Sequence, residues 1–529
     1  GIVEGVEECL VRNVEKNDLS RLMWLIDEGG KALEACTHPL AQAFLVHPIE
    51  RMMDELLADP TDYDLEVLEK AIEKLLEAQK NEIVKHIFLQ INRRIEPTDL
   101  KKAIIYCYSI EYIDKNERPK KLAVLEQFRM PEKNMDAGDL YFSLGIQFEF
   151  IANYDKANEN YESALAIELN THGENHPSTA ESLNRIGGVF LRKGDYNKAI
   201  EYYERSLAIR LKVQGVQHPS IALCYHNLGL TWRYKGEFDK AIEYYEKSLA
   251  IRLKVHGEQH PATGNNYSSL GVVCNYKGYF DKAIEHHEKA LIIFQKNYGD
   301  MHSLNGTSYN NLGMVYYKKL DYDKAIECHE KSLAISLNIH GDEHPSTGTS
   351  YNNLGMVWTD KGNLDKAIEY YEKTLSIDLK TYGDQHPYIG TSYNNLGSAW
   401  RIKGKFEIAI EYFQKSLAID LKVHGEQHFS TGTSYINLGW TWSEKGNQDK
   451  AIEYFERSLK IYLKVHGEQH SATGHSYSKL GMAWAEKEVY DKAIEYYEKA
   501  LIIFQKNYGN DHQRTKKVME NLVDIKNKR

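Results

Sequence analysis

Nine histidines recur at a fixed 42-residue interval: His176, His218, His260, His302, His344, His386, His428, His470 and His512. Imidazole is a common metal ligand and titrates near neutral pH. A metal site needs three or four ligands within a few ångströms, whereas neighbouring helices pack about 10 Å apart. The ladder is therefore assigned to loops and helix caps, with no metal and no cofactor. His286, His287 and His329 stand where other copies carry tyrosine or phenylalanine, as polar-tipped substitutes. A second ladder is made of asparagine: Asn310-Asn311, Asn352-Asn353 and Asn394-Asn395, with single Asn184, Asn227 and Asn437. An amide both donates and accepts, so a row of them can bracket the backbone of an extended peptide whatever its sequence. The same amides could instead bond to the adjacent repeat. Phosphate-binding, nucleophile-elbow and zinc-protease motifs are absent from the sequence, so catalysis is not expected.

The elements that position these residues follow from a third ladder. A Leu-Gly or Ile-Gly pair begins at Leu144, Ile186, Leu228, Leu270, Leu312, Leu354, Leu396, Leu438 and Leu480, again 42 residues apart. A fixed period of this size marks a solenoid, in which each unit buries its apolar face against its neighbours. In one unit, Tyr351, Leu354, Gly355 and Trp358 share a helical face. Gly362-Asn363 break that helix. A second follows through Ala367, Ile368, Tyr371, Leu375 and Ile377, with Glu369 set to pair with Lys373. Gly355 and Ala367 are read as the small partners of a large aromatic, which is Trp358 in this unit.

Leu-Gly, an aromatic three residues later, and then the alanine resemble the tetratricopeptide repeat. The 42-residue period, the Gly-x-x-His-Pro loop and Asn-Asn-Leu resemble the repeats of kinesin light chains. The heptad coiled coil of those proteins is lacking, because Leu65, Leu68, Ile72 and Leu75 span only two heptads. The resemblance implies an all-α, right-handed superhelical α-solenoid of nine hairpins over 137–515. A capping helix is expected over 516–529, and over 1–136 a non-repeat region of six or seven helices, either a separate bundle or degenerate repeats docked on the solenoid. Polar Lys115 to Lys121 is read as part of the boundary.

By similarity to kinesin light chains, the asparagines Asn227, Asn310, Asn311, Asn352, Asn353, Asn394, Asn395 and Asn437 would clamp a ligand main chain in the concave groove. Met314, Met356, Trp440, Arg233, Tyr234, Tyr276 and Arg401 would supply specificity. Copies that depart from their siblings, at Ile436, Trp440, Arg401 and His475, are where partner choice is expected.

Net charge is −10, which argues against a nucleic-acid ligand. No apolar run reaches spanning length, and six scattered cysteines suit a reducing, cytoplasmic setting. The expected role is a scaffold or adaptor that binds an extended or helical segment of a protein or peptide partner in the concave groove, with no membrane insertion. The alternative is the sensor or regulatory arm of a larger enzyme or signalling NTPase, associated with an upstream or separate catalytic module. The opening Gly1 is read as the start of a processed product or a fragment.

Overall fold

The computed structural model describes residues 135–528, residues 117–126, and the single positions Cys107 and Ile110. The helices expected elsewhere in 1–136 lie outside the described residues. Those described fall into two units divided between Val255 and His256. The chain is an all-α solenoid of successive hairpins, from Met135–Phe150 with Tyr154–Thr171 to Ser471–Glu486 with Tyr490–Tyr508. Nine hairpins are present among the described residues, numbered here first to ninth.

The 42-residue register places one packing contact in every hairpin, and it differs from the contact expected. A Cβ on Gly355 would lie 2.7 Å from Cε1 of Tyr371, on the second helix of the same hairpin. Gly145 meets Tyr161 in the same way, Gly229 meets Tyr245, Gly397 meets Phe413 and Gly439 meets Phe455. The repeating glycine thus makes room for the second-helix ring and not for Trp358. Trp358 is half-buried beneath the ammonium groups of Lys361 and Lys366, which lie 5.0 and 4.2 Å from the ring centre. Ala367 is fully buried in a cluster with Ile368, Tyr371, Leu396 and Ala399. That cluster joins the sixth hairpin to the seventh, as neighbour-only packing in a solenoid requires.

In the fourth and fifth hairpins the ring over the glycine is an imidazole. His287 lies over Gly271 and His329 over Gly313. Both are fully buried, and neither ring nitrogen has a hydrogen-bond partner.

The histidine ladder caps helices. Each first helix from the second hairpin onward begins just after one of these residues, whose Nδ1 accepts the backbone N–H two residues on. His176 accepts from Ser178, His344 from Ser346 and His470 from Ala472, at 3.1–3.3 Å. In most copies the ring also stacks on the residue ending the preceding second helix, as His344 does on His340 at 4.2 Å and His386 on Tyr382 at 4.6 Å. The cap satisfies one of the backbone N–H groups left without a helical partner at the start of each first helix.

Two boundaries differ from expectation. Residues 118–121, read as a polar boundary, open the helix Arg118–Glu126. Its Leu122 and Leu125 are buried with Leu140, Leu144 and Phe148 of the first hairpin. The capping helix spans Gln513–Lys528, starting three residues earlier than expected because His512 accepts from Arg514 N–H and fixes its first turn. Val518, Leu522 and Ile525 seal the last hairpin against Tyr497 and Phe504.

The first helices close on a left-handed residue, Gly362 at φ 89° in the sixth hairpin. In the fifth that residue is Leu320, at φ 63° and 69 % exposed. A side chain in that region costs roughly 1–2 kcal/mol, and an exposed leucine returns little of it. Leu320→Gly should therefore raise stability by about 1 kcal/mol in urea unfolding. An unchanged or lower midpoint would show that Leu320 contributes an unrecognised contact.

Candidate functional site: the first-helix face

The asparagines are tied to one another across hairpins. Asn353 Nδ2 donates to Asn310 Oδ1 at 2.7 Å, Asn395 to Asn352 at 2.8 Å and Asn437 to Asn394 at 2.6 Å. In the N-terminal unit Asn227 donates to Asn184 at 3.0 Å. Every pair is separated by 43 residues, one more than the repeat. By the same rule Asn311 is set against Ser268, too short a side chain to complete a pair.

Each bond uses the amino group of one amide and the oxygen of the other. The Asn310, Asn352 and Asn394 amino groups are left to donate, and the oxygens of Asn353, Asn395 and Asn437 are left to accept. The bond between repeats therefore orients the amides as it uses half of them.

A turn further along, the same offset recurs with other chemistry. Tyr317 donates to Asp360 at 2.5 Å, Arg401 holds both carboxylate oxygens of Glu444 at 2.8 and 2.9 Å, and Ser443 donates to Glu486 at 3.1 Å. Between these two polar rows lie Met314, Met356, Trp440 and Met482, all half-buried. On the first helices of the C-terminal unit these residues form two polar rows flanking a thioether and indole row.

Trp440 is more committed than its sequence position suggested. The Arg401 guanidinium lies 4.3 Å from its ring centre, and the Lys479 ammonium 3.5 Å. These cations come from the hairpins before and after, so one indole ties three hairpins together. Desolvation, reinforced by Arg401 and opposed by Glu444 and Glu486, pushes the Lys479 amine down to about 8. His475 is pushed down to about 4, first by desolvation and then by Lys479 and Arg514. Lys479, Glu444 and Glu486 were not among the residues singled out from sequence. Scanning at 43 rather than 42 residues would have found the Arg401–Glu444 pair.

The remaining candidates sit at the helix ends. Tyr234 is 54 % exposed, stacked on Tyr196 and covered by Arg233 at 4.4 Å. Tyr276 is 57 % exposed, with Lys318 at 5.4 Å from its ring centre. Asn227, Arg233 and Tyr234 belong to the N-terminal unit, and the other candidates to the C-terminal one.

A tetratricopeptide repeat model matches residues 137–212, 178–254, 220–296, 304–358, 357–422 and 400–464, and a second matches 473–514. The chain belongs to the tetratricopeptide repeat family. Its hairpins are those repeats with a longer second helix and a histidine-capped loop. Members of the family are interaction scaffolds, and this repeat protein carries the family's non-catalytic architecture.

Among solved structures, BtubC (BKLC) from P. vanneervenii is 24% identical over 44% of this chain and 91% of its own, with a TM-score of 0.38. The nearly identical TPR-like repeats of a Podosopora anserina kinesin light chain are 25% identical over 39% of this chain and 98% of their own, at 0.36. The apo form of RapI is 18% identical over 54% and 98%, at 0.43. No curated protein matches the chain. No helix among the described residues is long and apolar enough to cross a membrane.

Proposed function

We propose that this repeat protein is a scaffold that binds an extended segment of a partner protein along the first-helix face of residues 256–529. The paired amides carry the reading. Each pair leaves one whole amino group and one carbonyl oxygen outside the bond between repeats, a donor and an acceptor to match those of extended backbone, and does so at three successive hairpin junctions. An extended chain advances about 3.4 Å per residue, so adjacent pairs about 10 Å apart address roughly every third residue. The methionines supply adaptable contacts for side chains in between. Four buried cysteines outside any disulfide, Cys107, Cys224, Cys274 and Cys328, support a reducing compartment such as the cytoplasm.

The test separates ligand contact from architecture. Asn310→Asp, Asn352→Asp and Asn394→Asp together keep the oxygen that accepts from the next hairpin and replace the free amino group by a carboxylate oxygen. Peptides selected from a random display library on the wild-type chain should bind this variant at least about tenfold more weakly, since each lost hydrogen bond is worth about 1 kcal/mol. Melting should change little. Equal binding by the variant, or a library from which no peptide enriches, would remove the asparagines from the site.

A further inference from the structure

Within the C-terminal unit a half-open hollow of about 220 Å³ lies between the fifth and sixth hairpins, lined among others by Gly306, Thr307, Asn310, Ser336, Ile339 and Thr349. Sister hairpins show what such a space accommodates. Residues 294, 336, 378, 420, 462 and 504 are equivalent in the 42-residue register: Phe, Ser, Asp, Asp, Tyr and Phe. In the fourth hairpin the Phe294 ring lies over Gly264, with Cε1 2.8 Å from where a Cβ would stand. Tyr462 lies over Gly432 at 2.6 Å in the eighth, and Phe504 over Gly474 at 2.8 Å in the ninth.

In the sixth and seventh hairpins the equivalent carboxylates are tied down instead, with Ser392 donating to Asp378 at 2.7 Å and Ser434 to Asp420 at 2.6 Å. The fifth hairpin keeps the glycine, Gly306, and has no ring. Its nearest atoms to an added Cβ are Ile335 Cγ2 at 3.3 Å and Cβ at 3.7 Å. Ser336 is turned to Thr347, with the two hydroxyl oxygens 2.9 Å apart.

The eighth hairpin also defines the polar end of such a site. The Tyr462 hydroxyl lies 3.0 Å from Thr433 Oγ1, and that threonine donates to the Phe429 carbonyl at 3.2 Å. Its equivalent in the fifth hairpin, Thr307, lines the hollow and donates to the Ser303 carbonyl at the same 3.2 Å. Floor and hydroxyl partner are therefore both in place where the phenol is missing. A cavity of about 150 Å³ already accepts benzene.

We infer that this hollow is a subsite for a phenol ring, taking a tyrosine side chain of the bound segment with its hydroxyl at Thr307. Asn310, which belongs to the first amide pair, also lines the hollow, so the ring would enter beside the tethered backbone. The inference rests on the peptide-binding reading for its ligand, and its test does not.

The probe is p-cresol, the tyrosine side chain as a free molecule, titrated into the whole chain by ligand-observed NMR. Saturable binding is expected with wild type. Ser336→Tyr, which supplies the ring from within as the eighth hairpin does, should weaken it at least about tenfold. Thr307→Val should weaken p-cresol several-fold and leave toluene unchanged. Tyr462→Ser should open an equivalent hollow in the eighth hairpin and add a second site. The Asn352→Asp, Asn394→Asp double variant, whose positions lie outside the hollow, should weaken peptide and retain p-cresol, which tells a failure of the amide row from a failure of this subsite. No saturable p-cresol binding to wild type, or binding that Ser336→Tyr leaves intact, would overturn the inference.

Discussion

Replacing Gly355 by alanine should lower the unfolding midpoint, and replacing Gly348 by alanine, seven residues earlier in the same helix, should raise it. Both glycines are buried in the helix Pro345–Asp360, and both forgo about 1 kcal/mol of helix propensity relative to alanine. What separates them is the space for one methyl. At Gly348 an added Cβ finds its nearest neighbour, Ile377 Cγ2, at 3.4 Å, an ordinary contact. At Gly355 it meets three Tyr371 ring atoms at 2.7, 2.8 and 3.0 Å.

Tyr371 cannot step aside cheaply. It is 5 % exposed and held in the cluster joining this hairpin to the next. Overpacking of this kind costs about 1–3 kcal/mol, occasionally more, so Gly355→Ala should lose about 1–2 kcal/mol net while Gly348→Ala gains a fraction of one. Paired urea titrations measure the difference. Tyr371→Leu in the Gly355→Ala background should recover part of the loss. If both alanines stabilise alike, the glycine–ring contact is not what fixes helix spacing.

The second large effect is in acid. Burial pushes His287 and His329 down to about 4, with His286 adding to the shift at His287. An unfolded imidazole titrates near 6.5. Between pH 6.5 and about 4 the unfolded chain therefore holds a proton that the folded chain refuses, and stability falls as pH drops through that window. Above 6.5 neither state is protonated and the term vanishes, while below 4 it levels off. The full difference is about 3 kcal/mol for each imidazole at 1.36 kcal/mol per pKa unit.

The sister hairpins name the substitution, since Phe413 and Phe455 occupy this position over their own glycines. The His287→Phe, His329→Phe double variant should unfold at a higher urea concentration than wild type at pH 4.5. It should also lose much less of its stability between pH 7.5 and 4.5. Part of the slope should persist, because His475 remains held near 4. Identical pH slopes in the two proteins would show that these imidazoles are not the acid-labile groups. Filling both sites with apolar rings also removes four nitrogens that are buried without partners.

Much of this architecture was legible in the chain because it is local. Leu354 and Gly362 fix helix and turn within one unit, and the capping histidines act on a backbone N–H two residues away. The Glu369–Lys373 pair, four residues apart on one helix, forms at 2.8 Å as its spacing implied. Interactions at short sequence separation follow from helix geometry alone.

What the sequence could not decide is which side chains meet between hairpins. The repeat is 42 residues, yet the polar pairs on the first-helix face join residues 43 apart, Asn310 to Asn353 and Arg401 to Glu444 alike. Successive first helices meet one residue out of register, an offset that the 42-residue period does not contain. The same offset converts a row of free amides into oriented half-used pairs, and encloses Trp440 between two cations. It leaves a space beside Ser336 that only comparison with the rings of Phe294, Tyr462 and Phe504 makes meaningful. The sequence by itself determined a family, its hairpins and the residues that stand on the first-helix face. The tertiary packing decided how much of each of those residues remains free to bind.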